Sequence, residues 1–148
     1  MKLVSSDFVE GQMLPATFTC DGEGQSPHLA WSDAPQDVQS FALRCHDPDA
    51  PSGNFDHWMV ANIPATVREI PRNGPLPVGS LQIMNDSGQA PYCPPCPPSG
   101  IHRYIFTLYA LNVPTLPAVK QDNFLVLVEA HLLGSATLTG RYQRQRPY

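Results

Sequence analysis

The stretch Arg103-Tyr104-Ile105-Phe106-Thr107-Leu108-Tyr109-Ala110-Leu111 decides the fold class. Side chains on an extended strand alternate between its two faces. Tyr104, Phe106, Leu108 and Ala110 then share one face, and Ile105, Thr107, Tyr109 and Leu111 share the other. Both sets are largely apolar, so the strand lies inside a sandwich or beneath a helix. The same period recurs at residues 40–46, where Phe41, Leu43 and Cys45 oppose Ala42, Arg44 and His46. Residues 58–63 are nearly all apolar and read as a second buried strand, placed at the centre of the sheet. Weaker strand signals fall at residues 3–5, 16–19, 28–31, 81–84 and 136–142. One helix is expected, with Asp122 as its cap, Phe124, Leu125, Val128 and Leu132 at helical spacing, and Gly134 as its stop. Strand runs with a single late helix give a mainly β chain: an antiparallel β-sandwich with a peripheral C-terminal helix.

Composition narrows the class further. The 148 residues suit one domain, spanning 1–148, with no repeat or linker to divide it. Proline occupies 17 positions, roughly twice the usual ~5%, and excludes a helical bundle because proline removes a donor and clashes inside a helix. A net charge of −4 offers no basic footprint for nucleic acid. Arg141, Arg144 and Arg146 crowd the C-terminus and read as a solvated tail. The opening Met1-Lys2-Leu3-Val4-Ser5 lacks the apolar core of a signal peptide, and the longest strongly apolar run, 124–128, is too short to span a bilayer. A soluble, cytoplasmic chain is the expectation.

The cysteines are Cys20, Cys45, Cys93 and Cys96. Cys93-Pro94-Pro95-Cys96 has the spacing of a redox pair or half a zinc knuckle, but no second pair completes a zinc site. Pro97 and Pro98 follow where a thioredoxin-type motif would open a helix. A rigid loop with incidental thiols is the first reading, and a disulfide or redox role the second.

Three segments are poor filler. Asp47-Pro48-Asp49-Ala50-Pro51 follows the strand at 40–46, Asp56-His57-Trp58 opens the next strand, and Cys96-Pro97-Pro98-Ser99-Gly100-Ile101-His102-Arg103-Tyr104 leads into the longest. Each sits where a strand meets a proline-stiffened loop, the usual station of functional side chains. If the strands are neighbours, Asp47, Asp49, His57, His102 and Tyr104 converge at one sheet end. Two imidazoles steadied and charged by carboxylates can donate to a phosphate-like anion. The same set could instead offer ligands to a metal, although separations of 10 and 45 residues match no short metal motif. Neither an essential metal nor a cofactor is expected.

These segments together resemble the phosphatidylethanolamine-binding protein (Raf kinase inhibitor-like) family, its bacterial and archaeal branch most closely. Supporting stretches are Thr19-Cys20-Asp21-Gly22-Glu23-Gly24, Ser26-Pro27-His28-Leu29-Ala30-Trp31, Cys96-Pro97-Pro98-Ser99-Gly100, and the end from Ala130-His131-Leu132-Leu133 through Leu138-Thr139-Gly140-Arg141-Tyr142. The resemblance implies a β-sandwich with a small anion pocket at one end, suited to phosphate-bearing ligands and lipid head groups. It makes Asp47 and Asp49 the loop acids, His57 and His102 the imidazoles, and Tyr104 a wall, with Pro95 beside the ligand. It also implies a cis bond before Pro51, a bridge between Cys20 and Cys96, a homodimer, and a second pocket-facing histidine at His131. Where the branch usually reads Tyr-Gly-Gly-Pro-Cys-Pro-Pro, this chain reads Tyr92-Cys93-Pro94-Pro95-Cys96-Pro97-Pro98, which puts Pro94 at a pocket-lining glycine. The regulation of kinase signalling known among eukaryotic relatives is not carried over, because partner surfaces lie outside the motifs.

The leading reading is therefore a non-enzymatic binding module for small phosphate-bearing or anionic ligands. Two rivals stand beside it. One is a hydrolase using His57 or His102 as general base, with Ser99 the nearest hydroxyl, although no G-x-S-x-G elbow or H-E-x-x-H is present. The other is a redox protein working through Cys93 and Cys96. Trp31 and Trp58 are expected in the core or pocket wall, His28 at the surface or in a structural role, and His46 exposed on the face opposite Cys45.

Overall fold

Alternation fixes the middle of the molecule. Strand β3 (Ser40–Asp47) pairs antiparallel with β4 (Phe55–Pro64) on one side and with β7 (His102–Leu111) on the other. In this computed structural model, which describes residues 1–145, β6 (Leu81–Gln82) and β8 (Leu132–Tyr142) complete a five-stranded sheet in the order β6-β4-β3-β7-β8. A smaller sheet, β1-β2-β5, holds β1 (Lys2–Val4), β2 (Leu29–Ser32) and β5 (Glu69–Ile70). The fold is the expected antiparallel sandwich.

Its core lies between the sheets. Leu3, Leu29, Trp31 and Ile70 of the small sheet meet Phe41, Leu43, Val60, Phe106 and Leu108 of the large one. The other face of the large sheet packs Ala42, Met59, Ala61 and Leu111 against Phe124 and Val128 of α1 (Phe124–Ala130). The strand at 102–111 is thus both inside a sandwich and partly under a helix, the two coverings its alternation allowed.

Several local expectations are corrected. Strand β4 is next to the edge rather than central, since beyond it lies only the two-residue β6. Its second apolar face is covered by the cluster around α1 instead of by further strands. Residues 16–19 form no strand: Pro15 sets up a 3₁₀ turn at Ala16–Phe18, closed by the Phe18 N–H on the Pro15 carbonyl at 3.1 Å. A 3₁₀ turn, Gln121–Asn123, precedes α1, whose N-cap position is held by Asn123, not Asp122. The helix ends at Ala130, and Gly134 lies inside β8, where pairing with β7 takes over.

The basic C-terminus is no loose tail up to residue 145. Arg141 donates to the Gly11 carbonyl at 2.7 Å, and Arg144 pairs with Asp21 at 3.4 Å. Arg146 lies outside the described residues. No helix among the described residues is long and apolar enough to cross a membrane.

Candidate functional site

At the end of the large sheet where β3 stops and β7 begins, Asp47, His57, His102 and Tyr104 line one cavity of about 170 Å³. All four are nearly sealed, with exposures of 3%, 5%, 7% and 1%. Strand pairing places three of them. Cys45 and Phe106 are opposite partners on the core face, so Asp47 and Tyr104, each two residues further out, share that face, as does His102, two residues beyond Tyr104.

His57 reaches the same cavity by an irregularity. Cys45 faces Trp58 and His46 faces Asp56, which leaves His57 with no residue opposite it. Such a bulge inserts an extra residue and re-aims its side chain. The loop before Pro94 then holds it: the Cys93 N–H donates to the His57 carbonyl at 2.9 Å, and His57 Nδ1 donates to the Cys93 carbonyl at 2.7 Å. Since a carbonyl only accepts, the proton of neutral His57 sits on Nδ1 and its Nε2 carries the lone pair.

His102 is arranged the same way with a different partner. Its Nδ1 donates to Asp47 Oδ2 at 2.6 Å. Asp47 Oδ1 in turn accepts the Asp49 N–H at 2.8 Å, the local turn in which an aspartate fixes its own carboxylate. Neither imidazole Nε2 has a hydrogen-bond partner among the described residues, and neither is sealed from solvent. The two rings flank Tyr104, His57 edge-on at 5.3 Å and His102 stacked at 6.5 Å.

Electrostatics distinguishes the groups. Burial pushes the His57 imidazole below its ordinary value and outweighs the raising effects of the Cys93 carbonyl and Asp47. Both loop acids were expected to favour charged imidazoles, and for His57 burial reverses that. Burial and the Asp47 charge push the Tyr104 phenol up, so it stays neutral. Burial likewise raises the Cys93 thiol, and a Ser87 hydrogen bond only partly offsets this.

Two expected site residues are not in the cavity wall. Asp49 turns away and is exposed, gripping Arg103 through a forked pair of 2.9 Å hydrogen bonds that holds its carboxyl at about 2. Pro95 is buried behind the wall, where its carbonyl accepts the Cys20 N–H at 3.0 Å, while Pro94, Pro97 and Pro98 line the cavity. The Ala50–Pro51 bond is trans, against the expected cis bond. Gly53, at φ +98°, closes that turn by donating to the Ala50 carbonyl at 2.8 Å, and the cis bond among the described residues is Gly74–Pro75. His131 bonds Asn112 beyond the far end of β7, away from the cavity. Ser99 is exposed and does not line it.

The wall is tied covalently. Cys96 is bonded to Cys20, while Cys93 and the buried Cys45 are free thiols. The Cys93–Cys96 spacing cannot close easily. Cys93 and Pro94 each stand before a proline and are biased to extended backbone, which works against the ~4.4–6.8 Å Cα separation of a disulfide.

Sequence reasoning missed Asn85. It is buried, donates to the carbonyls of His57 and Pro91 at 3.0 Å each, and accepts from Ser87, so it organises the loop that clamps His57. An asparagine amid Asp86-Ser87-Gly88 reads as an ordinary turn, and nothing local announces its long-range role.

A larger cleft of about 670 Å³ lies between residues 81–84 and 119–122, but its mostly apolar wall holds no imidazole or thiol. The convergent chemistry is in the small cavity.

Known proteins share this arrangement of sheets. Residues 4–143 match the phosphatidylethanolamine-binding protein family. A UPF0098 protein of Methanothermobacter thermautotrophicus is 44% identical over 150 residues, covering 97% of this chain and 99% of its own. The UPF0098 protein YbhB of Escherichia coli is 38% identical over 157 residues, covering 96% and 99%. The crystal structure of Escherichia coli YbcL, described as a new member of the mammalian PEBP family, superposes with a TM-score of 0.91 at 32% identity, covering 97% and 98%. By sequence along nearly its whole length and by fold, the chain belongs to the phosphatidylethanolamine-binding protein family.

Proposed function

We propose that the chain is a binding module for small phosphate-type oxyanions, free or as a compact head group, and that it turns nothing over. One observation carries this reading. Two buried imidazoles each spend Nδ1 on a fixed acceptor and leave Nε2 unpartnered at the same 170 Å³ cavity. Protonated, those atoms are charge-assisted donors to an oxyanion. A water occupies about 30 Å³ of liquid, so the cavity has room for about six, which suits a phosphate and a short ammonium arm. Asp47 and Asp49 divide the work: Asp47 orients His102, and Asp49 anchors the turn to Arg103.

The test is a titration of the protein with inorganic phosphate and with phosphoethanolamine, following the His57 and His102 imidazole resonances. Saturable shifts of both rings support the reading, and silence of both at millimolar ligand removes it.

The Asp47–His102 pair also has the form of an oriented general base, which favours the hydrolase reading. A nucleophile is what that reading wants. Tyr104 is the hydroxyl lining the cavity and its phenol is pushed up, as is the Cys93 thiol. Turnover of p-nitrophenyl phosphate or acetate that is lost in His102→Gln would establish it.

A further inference from the structure

We infer that Pro94, seated on Gly24, is the partition that restricts this cavity to compact ligands. This rests on the oxyanion reading for the identity of the ligand, but not for the wall itself. Pro94 lines the 170 Å³ cavity. On its other side Gly24 lines a second cavity of about 330 Å³, with Trp58, Asn73, Gln82 and Tyr92. The two residues touch so closely that a Cβ on residue 24 would lie 2.8 Å from Pro94 Cγ. Gly24 also has φ +72°, a conformation that glycine adopts freely.

The rest of the wall is fixed from both sides. Trp58 and Tyr92 line the second cavity, while their chain neighbours His57, Cys93 and Pro94 line the first. Trp58 and Tyr92 pack edge-on at 5.4 Å, the Tyr92 hydroxyl donates to the Phe18 carbonyl, and the disulfide holds Cys20 to Cys96. The proline ring is the part of this wall that a substitution removes without cutting one of those ties. Sites for drug-sized ligands occupy roughly 300–1,000 Å³, so the anion cavity alone is too small for one, and the two cavities joined are not. The wild-type cavity therefore encloses an oxyanion with a short arm and has no room to enclose a long apolar arm beside it. Pro94→Gly admits both.

Two measurements test this. Calorimetry of wild type, Pro94→Gly and Pro94→Ala uses inorganic phosphate and n-hexyl phosphate. The expected result is that wild type binds hexyl phosphate at least tenfold more weakly than phosphate, and that Pro94→Gly brings the ratio of the two affinities close to one. The second measurement needs no anion binding. Cys93 is the free thiol in the cavity wall, while Cys45 is fully buried and Cys20 and Cys96 are paired. Methyl methanethiosulfonate should label Cys93 in wild type and benzyl methanethiosulfonate should label it at least tenfold more slowly, and Pro94→Gly or Pro94→Ala should erase that selectivity. If neither protein binds phosphate yet the labelling selectivity is erased, the partition stands and the oxyanion reading falls. If phosphate binds but ligand range and labelling are the same with and without the proline ring, the partition is overturned.

Discussion

The two faces of the large sheet carry the same residue types at the same end and use them in opposite ways. On the core face, Asp47 holds one nitrogen of His102 and leaves the other unpartnered at a cavity. On the outer face, Arg44 and Asp56 pair at 2.8 Å, Arg103 and Asp49 form their fork, and His46 is left with a buried Nδ1 that has no partner. Burial and the nearby Arg44 charge push His46 down to about 4, so it stays neutral. Charge outside is cancelled by charge. Inside, a fixed imidazole nitrogen is aimed at a space. Adjacent residues, His46 and Asp47, fall on opposite sides of that division because an extended chain alternates.

The largest expected effect separates the faces by covalent support. The Cys20–Cys96 bond closes a chain segment of 76 residues and ties only the cavity side. Cys20→Ser or reduction should cost about 2–4 kcal/mol of stability. Phosphate affinity should fall with it, while the His46 titration stays put. A reduced protein with unchanged melting temperature and affinity breaks this half of the comparison.

Next come the two aspartate–histidine sets. A charge-assisted hydrogen bond contributes roughly 1.5–3 kcal/mol, so Asp47→Asn and His102→Ala should each weaken phosphate binding about tenfold to a hundredfold. His46→Ala and Arg103→Ala should change it less than twofold, by calorimetry on variants of matched melting temperature. Loss of binding in His46→Ala with none in His102→Ala would put the site on the outer face.

Protons sharpen the contrast further. Neutral His57 presents a lone pair to the cavity, so it must gain a proton at Nε2 to hold a dianion, and its value lies below the ordinary ~6.5. Sulfate affinity should therefore rise as pH falls from 8 through 6.5 and keep rising below it, by up to about tenfold per unit, with proton uptake on binding. Sulfate is the probe because it does not itself titrate there. A flat profile, or one that survives unchanged in His57→Gln, contradicts the assignment.

The smallest effect belongs to the outer histidine. Its folded value of about 4 is below the unfolded ~6.5, so its contribution is fully present above 6.5 and is lost as pH falls toward 4. His46→Asn should recover about 1 kcal/mol at pH 4.5, its partial exposure having been allowed for, and nothing at pH 7.5. Chemical denaturation at the two pH values measures both.

Period-2 alternation made β3, β4 and β7 legible, because apolar side chains on a covered strand leave no other pattern. It also put His46 opposite Asp47. What alternation cannot carry is a change of register. Nothing in Asp56-His57-Trp58 announces the bulge that turns His57 into the cavity, since that arises from pairing with β3. Asp47 and Asp49 look equivalent in sequence, and only Arg103, 54 residues on, draws the second away. The two-residue β5 and β6 are too short for any period. The 3₁₀ turn after Pro15 mimicked a strand because Phe18 is buried in either conformation.

The Asp47–His102 bond bridges 55 residues, and the His57–Cys93 bond bridges 36. No local fragment contains the cavity, so the denatured ensemble has none. Whatever fills it is thereby a folding partner: it binds the native state alone and stabilises it by RT ln(1 + [L]/Kd), about 2.7 kcal/mol at a hundredfold excess over Kd. Pairing over such separations is slow to form. A compound present while the strands assemble would hold each completed sheet end against reopening, so its presence registers as resistance to heat before any affinity is measured.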